Sequence, residues 1–211
     1  MSLRAHSTGL ALGVMVGLGA GGVRTSAQAT FTADIASPVA VRGEARAERE
    51  ALVLRLIRHW PRRSRRVAVA VMEKYGPPHM ITHKSLLWIG NSPWKATVVY
   101  RAGAFGAARG KRRRALRQVI AYRVPAGKSS ELERLGMGLA ADSVQEELAA
   151  ENDGEAENFL ALNLADQVAV SGLSVDRAKD LFARTRSLEA SGKKSPLTSG
   201  LVFASRASFG P

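Results

Sequence analysis

The 211 residues contain no cysteine, and that absence alone removes disulfides, thiolate-bound metal, thiol catalysis and a lipid anchor on a processed cysteine. Long apolar runs are missing as well. Gly9 to Ala20 comes nearest, but it is glycine-rich and short of the about 20 apolar residues that span a bilayer about 30 Å thick. Hydrolytic and nucleotide-binding signatures are also absent: there is no Gly-x-Ser-x-Gly elbow, no His-Glu-x-x-His, no EF-hand loop and no Walker-type loop. Gly17, Gly19 and Gly22 have dinucleotide-fingerprint spacing, yet no strand pattern precedes them. No internal repeat is visible. Acid is the minority charge, with 18 acidic against 31 basic residues and a net charge of +13.

What is present reads as a globular chain, 45% hydrophobic and 23% charged. Met1 to Ala29 starts with Arg4, continues through the short apolar run and ends in Ala27-Gln28-Ala29, the pattern of a cleaved secretory signal. A transit peptide would carry more arginine than Arg4 and Arg24. Removing these residues leaves 29 basic against 18 acidic residues, a charge of +11. Export without disulfides favours the bacterial periplasm or exterior. The surplus charge favours polyanions there, such as lipid headgroups, with cytoplasmic nucleic acid out of reach.

Residues 30–43, with Pro38 and small side chains, read as a linker. From Glu44 the spacing of Leu52, Val53, Leu56, Ile57 and Trp60 predicts a helix, ended at Trp60-Pro61. Ser64 to Tyr75 is ambiguous: Val67-Ala68-Val69-Ala70-Val71 alternates like a strand, while Met72-Glu73-Lys74 and the stop Tyr75-Gly76-Pro77-Pro78 favour a second helix. The apolar period then changes. Leu86 to Ile89, a turn at Asn91-Ser92-Pro93, and Trp94 to Tyr100 predict two antiparallel strands. Arg117 to Val124 reads as a third, and Gly138 to Glu147 as a fourth strand or an irregular crossing. In the acidic stretch Glu146 to Glu157, Asn152 fits an N-cap with Glu155 three residues on, so the carboxylates serve a helix start. That helix, rich in Ala161, Leu164, Ala165 and Val168, is followed after Gly172 and Ser174 by another. Residues 189–211 read as a loose tail.

Few residues can carry chemistry. His79 and His83 are four apart but follow Gly-Pro-Pro, where a helix is disfavoured, and on a strand they stand about 13 Å apart, so metal is not expected. No cofactor motif appears. Trp88, Trp94, Lys95 and Tyr100 form the aromatic candidate: near a hairpin end they can stack a sugar or cradle an acidic group, against the alternative that they fill the core. Arg109, Lys111, Arg112, Arg113 and Arg114 form a like-charge block flanked by glycine, suited to phosphates or to a solvated loop. It lacks interleaved aromatics for single-strand nucleic acid.

The order of a helix, Lys74-Tyr75-Gly76-Pro77-Pro78, a strand ending in Trp88 and then Ser92-Pro93-Trp94-Lys95 resembles a family of exported bacterial proteins known as a domain of unknown function. Glu157 to Ala165 resembles that family's second marked segment, so the likeness covers roughly residues 45 to 187. The looser pattern is also similar to small envelope assembly lipoproteins, which set two helices against an antiparallel sheet. Neither likeness brings a catalytic residue. The reading is one α+β domain over residues 44–188: a helical pair, a small antiparallel sheet of three or four strands, and two C-terminal helices. The expected role is a non-catalytic envelope interaction or scaffold protein whose basic loop meets an anionic surface or an envelope protein. A hydrolase acting on a cell-wall glycan is the alternative, and extracellular nucleic acid a distant third.

Overall fold

Helix α1, Pro38–Ile57, and helix α2, Arg62–Tyr75, form the N-terminal pair. The computed structural model describes residues 38–101 and 114–203, with side chains from residue 44 onward. The expected signal, residues 1–29, lies outside the described residues. The proposed linker is helical from Pro38. Between the helices Trp60 donates its backbone N–H to Ile57 O at 2.9 Å, and Pro61 opens α2 with φ −51°. The alternating valines of α2 resolve as helix because Val67, Ala68, Val71 and Met72 share one buried face while Ala70 is exposed. Gly76 ends α2 at φ 78°, a conformation that favours glycine, and its N–H reaches Met72 O at 2.8 Å.

The sheet has six antiparallel strands: β1 Met80–Ile81, β2 Ser85–Ile89, β3 Ala96–Tyr100, β4 Leu116–Ala121, β5 Leu139–Asp142 and β6 Glu147–Asn152. Their spatial order is β1-β2-β3-β4-β6-β5. Three or four strands were expected. The additional pairings come from β1, only two residues long, and from the β5–β6 hairpin. The sequences LAAD and ELAAEN carry almost none of the β-branched or aromatic residues that mark strands. Asn152 is therefore the last residue of β6 and not a helix cap. Gly154 occupies the N-cap of α4, Glu155–Val170, whose first turn does hold Glu155 and Glu157. Helix α3, Ser129–Leu135, links β4 to β5, and β6 returns between β5 and β4.

One face of the sheet carries Leu86, Trp88, Thr97, Val99, Leu116, Gln118, Ile120, Leu148 and Ala150, all buried. The helices pack there in two hydrophobic clusters. The first joins α1 and α2 to Leu86, Trp88, Val99 and Leu116. The second joins α3, α4 and α5 to Ile120, Leu148 and Ala150. Val119 and Ala149 are on the opposite face and belong to neither cluster.

Helix α5, Val175–Ala190, starts at Ser174, whose side chain accepts from Arg177 N at 3.3 Å. As far as Phe203 the chain beyond it is not the loose tail its composition suggests. Helix α6, Pro196–Ser199, packs on α4, and Phe203 is buried in the second cluster, edge-on to Tyr122 at 5.6 Å. Asn163 of α4 supplies the polar fastening: it donates to Leu197 O at 2.9 Å and Gly200 O at 2.8 Å and accepts from Val202 N at 2.9 Å. Residues 204–211 lie outside the described residues.

Candidate functional site

The aromatic candidate divides between core and surface. Trp88 is fully buried and donates its indole N–H to Gly76 O at 2.8 Å, tying β2 to the end of α2. Trp94 is 1% exposed and stacks on Phe159 with ring centroids 4.8 Å apart. Neither ring offers a face to a sugar, which corrects the stacking site: large apolar rings beside a helical layer are worth more inside it. Lys95 pairs with Glu147 on β6, and Tyr100 is half-buried on β3. The four residues do not converge.

Trp94 belongs instead to a polar node around Glu155, which no motif in the sequence announces. Glu155 Oε1 accepts from Tyr75 OH at 2.5 Å, Trp94 Nε1 at 2.7 Å and Gln118 Nε2 at 3.0 Å, while Oε2 accepts from Lys74 Nζ at 2.5 Å. Asn158, one turn on, donates to Gln118 Oε1 at 2.9 Å. Burial by itself pushes the Glu155 carboxyl up, but the hydrogen bonds from Lys74, Tyr75, Trp94 and Gln118 outweigh it and hold the group below its ordinary value. Burial raises Tyr75, and the adjacent carboxylate raises it further. Lys74 is drawn down by burial, yet its bonds to Glu155 and Tyr75 prevail and leave it above its ordinary value. A carboxylate this well supplied with donors stays ionised and fastens α2, the β2–β3 connection, β4 and α4 to one another. It lacks the raised affinity for protons that a general acid needs.

Half-buried Tyr122 and buried Asp166 form a second polar pair, the hydroxyl donating to Oδ1 at 3.1 Å. Burial, then the Asp166 carboxylate, push Tyr122 strongly up. Among the described residues no group of three or more His, Asp and Glu side chains is arranged to hold a metal ion. His79 Nδ1 accepts from Ile89 N at 3.1 Å, and His59 Nε2 accepts from Arg58 Nε at 2.8 Å.

Of the basic block, Arg109, Lys111, Arg112 and Arg113 lie outside the described residues, and Arg114 is inside them. Arg114 donates through Nη1 to Asp153 Oδ2 at 2.5 Å, and Arg63 of α2 binds the same oxygen. Asp153 thereby brings Arg114 beside Arg63 of the basic segment Arg62-Arg63-Ser64-Arg65-Arg66, far away in sequence. Next to this junction Arg62, Arg65, Arg66, Val69 and Glu73 line an open groove along the outer side of α2. The sequence did carry a signal for this groove, because residues 62, 65, 66, 69 and 73 recur at three and four and so share a helix face. The buried stripe of Val67, Val71 and Met72 is the more conspicuous pattern in the same segment.

Comparison of the chain with protein-family models, with curated proteins and with solved structures finds no match. Among the described residues no helix is long and apolar enough to cross a membrane.

Proposed function

We propose that the protein is an exported, non-catalytic interaction module that docks on an anionic surface through its basic segments. The observation that carries this reading is the shared oxygen of Asp153. Arg114 and Arg63 meet there, so the last residue of the basic block stands beside the arginines of α2. Arg62, Arg63, Arg65, Arg66 and Arg114 outnumber the two carboxylates beside them, Asp153 and Glu73, which favours a positive local potential. The polar groups that are buried, around Glu155 and Asp166, fasten helices to the sheet, which fits a binding role better than an acid–base one.

The test is binding of the protein to vesicles containing anionic phospholipid, at low and at raised salt, beside a variant with Lys111, Arg112 and Arg113 changed to Ser. Arg114 is left in place so that its bond to Asp153 survives. Each juxtamembrane cation contributes about 1 kcal/mol. Three removed charges should weaken binding about 100-fold, and raised salt should do the same for the unaltered protein. Unchanged binding by the variant would take the loop out of the contact. Absence of binding at low salt would end the surface reading.

A further inference from the structure

We infer that Arg62 and Arg66 on the outer face of α2, held beside Arg65, form a recognition site for a phosphomonoester. This rests on the reading of the protein as a binder of anionic surfaces and names the chemical group recognised there. Arg62 and Arg66 are exposed and four residues apart, which puts their Cβ atoms about 5–6 Å from one another on one helix face. Among the described residues neither makes an ion pair or a side-chain hydrogen bond, whereas Arg63 is committed to Asp153. Arg65 between them donates Nη1 to Arg58 O at 3.1 Å, a backbone contact that leaves its charge uncompensated and holds its guanidinium in place.

Helix stability does not account for these residues. The first turn of a helix favours carboxylates; α2 has none there, and four of its first five residues are arginine. Nor does packing, since the buried face of α2 is Ser64, Val67, Ala68, Val71 and Met72. A ligand with several acceptor oxygens and close to two negative charges would satisfy such a set, which describes a phosphate monoester. A diester carries one charge and two free oxygens and cannot engage two guanidinium forks as fully. Carboxylates are weaker matches for the same reason. The groove is open, so the phosphate can belong to a lipid headgroup or to a soluble ester.

The experiment compares vesicles of phosphatidic acid with vesicles of phosphatidylserine at matched surface potential, for the unaltered protein and for Arg62→Lys/Arg66→Lys. That variant keeps the charge and loses the planar forks that grip phosphate through two bonds at once. The expected result is tighter binding to phosphatidic acid, weakened about tenfold or more by the double substitution, with phosphatidylserine binding unchanged within about twofold. Equal binding to both lipids, or an equal effect of the variant on both, overturns the phosphate site while leaving the surface reading intact. A third arm titrates glycerol phosphate against the Arg62 and Arg66 side-chain NMR signals. If neither vesicle binds, the surface reading fails. Shifts that saturate with glycerol phosphate would then keep the site as one for a soluble ester, and no shifts would remove it.

Discussion

Trp94 and Glu155 lie 61 residues apart and meet through a 2.7 Å hydrogen bond from the indole N–H to Oε1. One belongs to the connection between β2 and β3, the other to the first turn of α4. Their contact makes α4 fit the sheet in one position, because Tyr75, Gln118 and Lys74 converge on the same carboxylate.

Removing that carboxylate leaves a phenol and an amide without their acceptor inside the fold, and leaves the Trp94 indole only its 3.0 Å contact to the Tyr75 hydroxyl. Glu155→Ala should cost about 3 kcal/mol of stability, the scale for stripping partners from buried charged networks. Glu155→Gln keeps one acceptor oxygen for Tyr75, Trp94 and Gln118 and loses the charge and the acceptor that faces Lys74, so it should cost less. Urea unfolding followed by tryptophan fluorescence measures both. If the alanine variant were within about 0.5 kcal/mol of the parent, the node would not be holding α4 to the sheet.

The same node predicts a pH dependence. Glu155 is held below its ordinary value, so its contribution is complete above about pH 4.5 and fades as pH falls through the lowered value. Tyr75 and Lys74 are raised, so their contributions are complete below about pH 10 and fade as pH climbs through the raised values. The stability gap between the parent and Glu155→Gln should therefore narrow under acid, where a protonated Glu155 resembles the amide. A gap that stays constant down to about pH 2 would mean the charge of Glu155 contributes nothing.

What the chain disclosed about itself follows from how local each cause is. Gly76 before Pro77 and Pro78 limits the backbone within three residues, so the end of α2 was legible. So were α5 with its Ser174 cap and the hairpin around Asn91-Ser92-Pro93, whose Ser92–Pro93 peptide is cis. The β5–β6 hairpin was not, because alanine and glutamate in ELAAEN favour helices and become a strand only through pairing with β4 on one side and β5 on the other. In the sequence Glu155 reads as a helix-terminus acid. It does sit there, but its four partners come from positions 74, 75, 94 and 118, and no spacing rule joins those numbers. The meeting of Arg63 with Arg114 is hidden in the same way: the block ending in Arg114 is plain in the sequence, the arginines at the start of α2 are overshadowed by its apolar stripe, and only Asp153 shows that Arg63 and Arg114 are neighbours.

Gly138 offers a test of backbone packing. Its φ is +75°, and a Cβ there would stand 2.2 Å from the carbonyl oxygen of Glu151 in β6. The backbone at that oxygen cannot yield cheaply, since Glu151 N also donates to Gly138 O at 2.8 Å. Gly127 has a similar φ of +79° but open space around it. Gly127→Ala should cost about 1–2 kcal/mol, the penalty of the left-handed conformation alone, and Gly138→Ala distinctly more. Equal costs for the two, measured by thermal unfolding, would show that the approach of Gly138 to β6 is not a constraint.

Asn163 makes the clearest prediction about the C-terminal residues. Its amide holds two carbonyls and one N–H of residues 197–202, while Thr198 and Phe203 are buried beside it. Asn163→Leu keeps a similar volume but strands the three backbone groups, each costing about 1–3 kcal/mol if it stays buried. The segment has a cheaper course: it lifts off α4 and gives those groups to water, exposing Phe203 and the ring of Tyr122 that it covers. Hydrogen exchange at Val202 should then be fast in the variant and slow in the parent, and protease cleavage near residue 200 should appear without loss of the helical signal of α4 and α5. Slow exchange in both proteins would mean that Phe203, and not Asn163, is what seats this end of the chain.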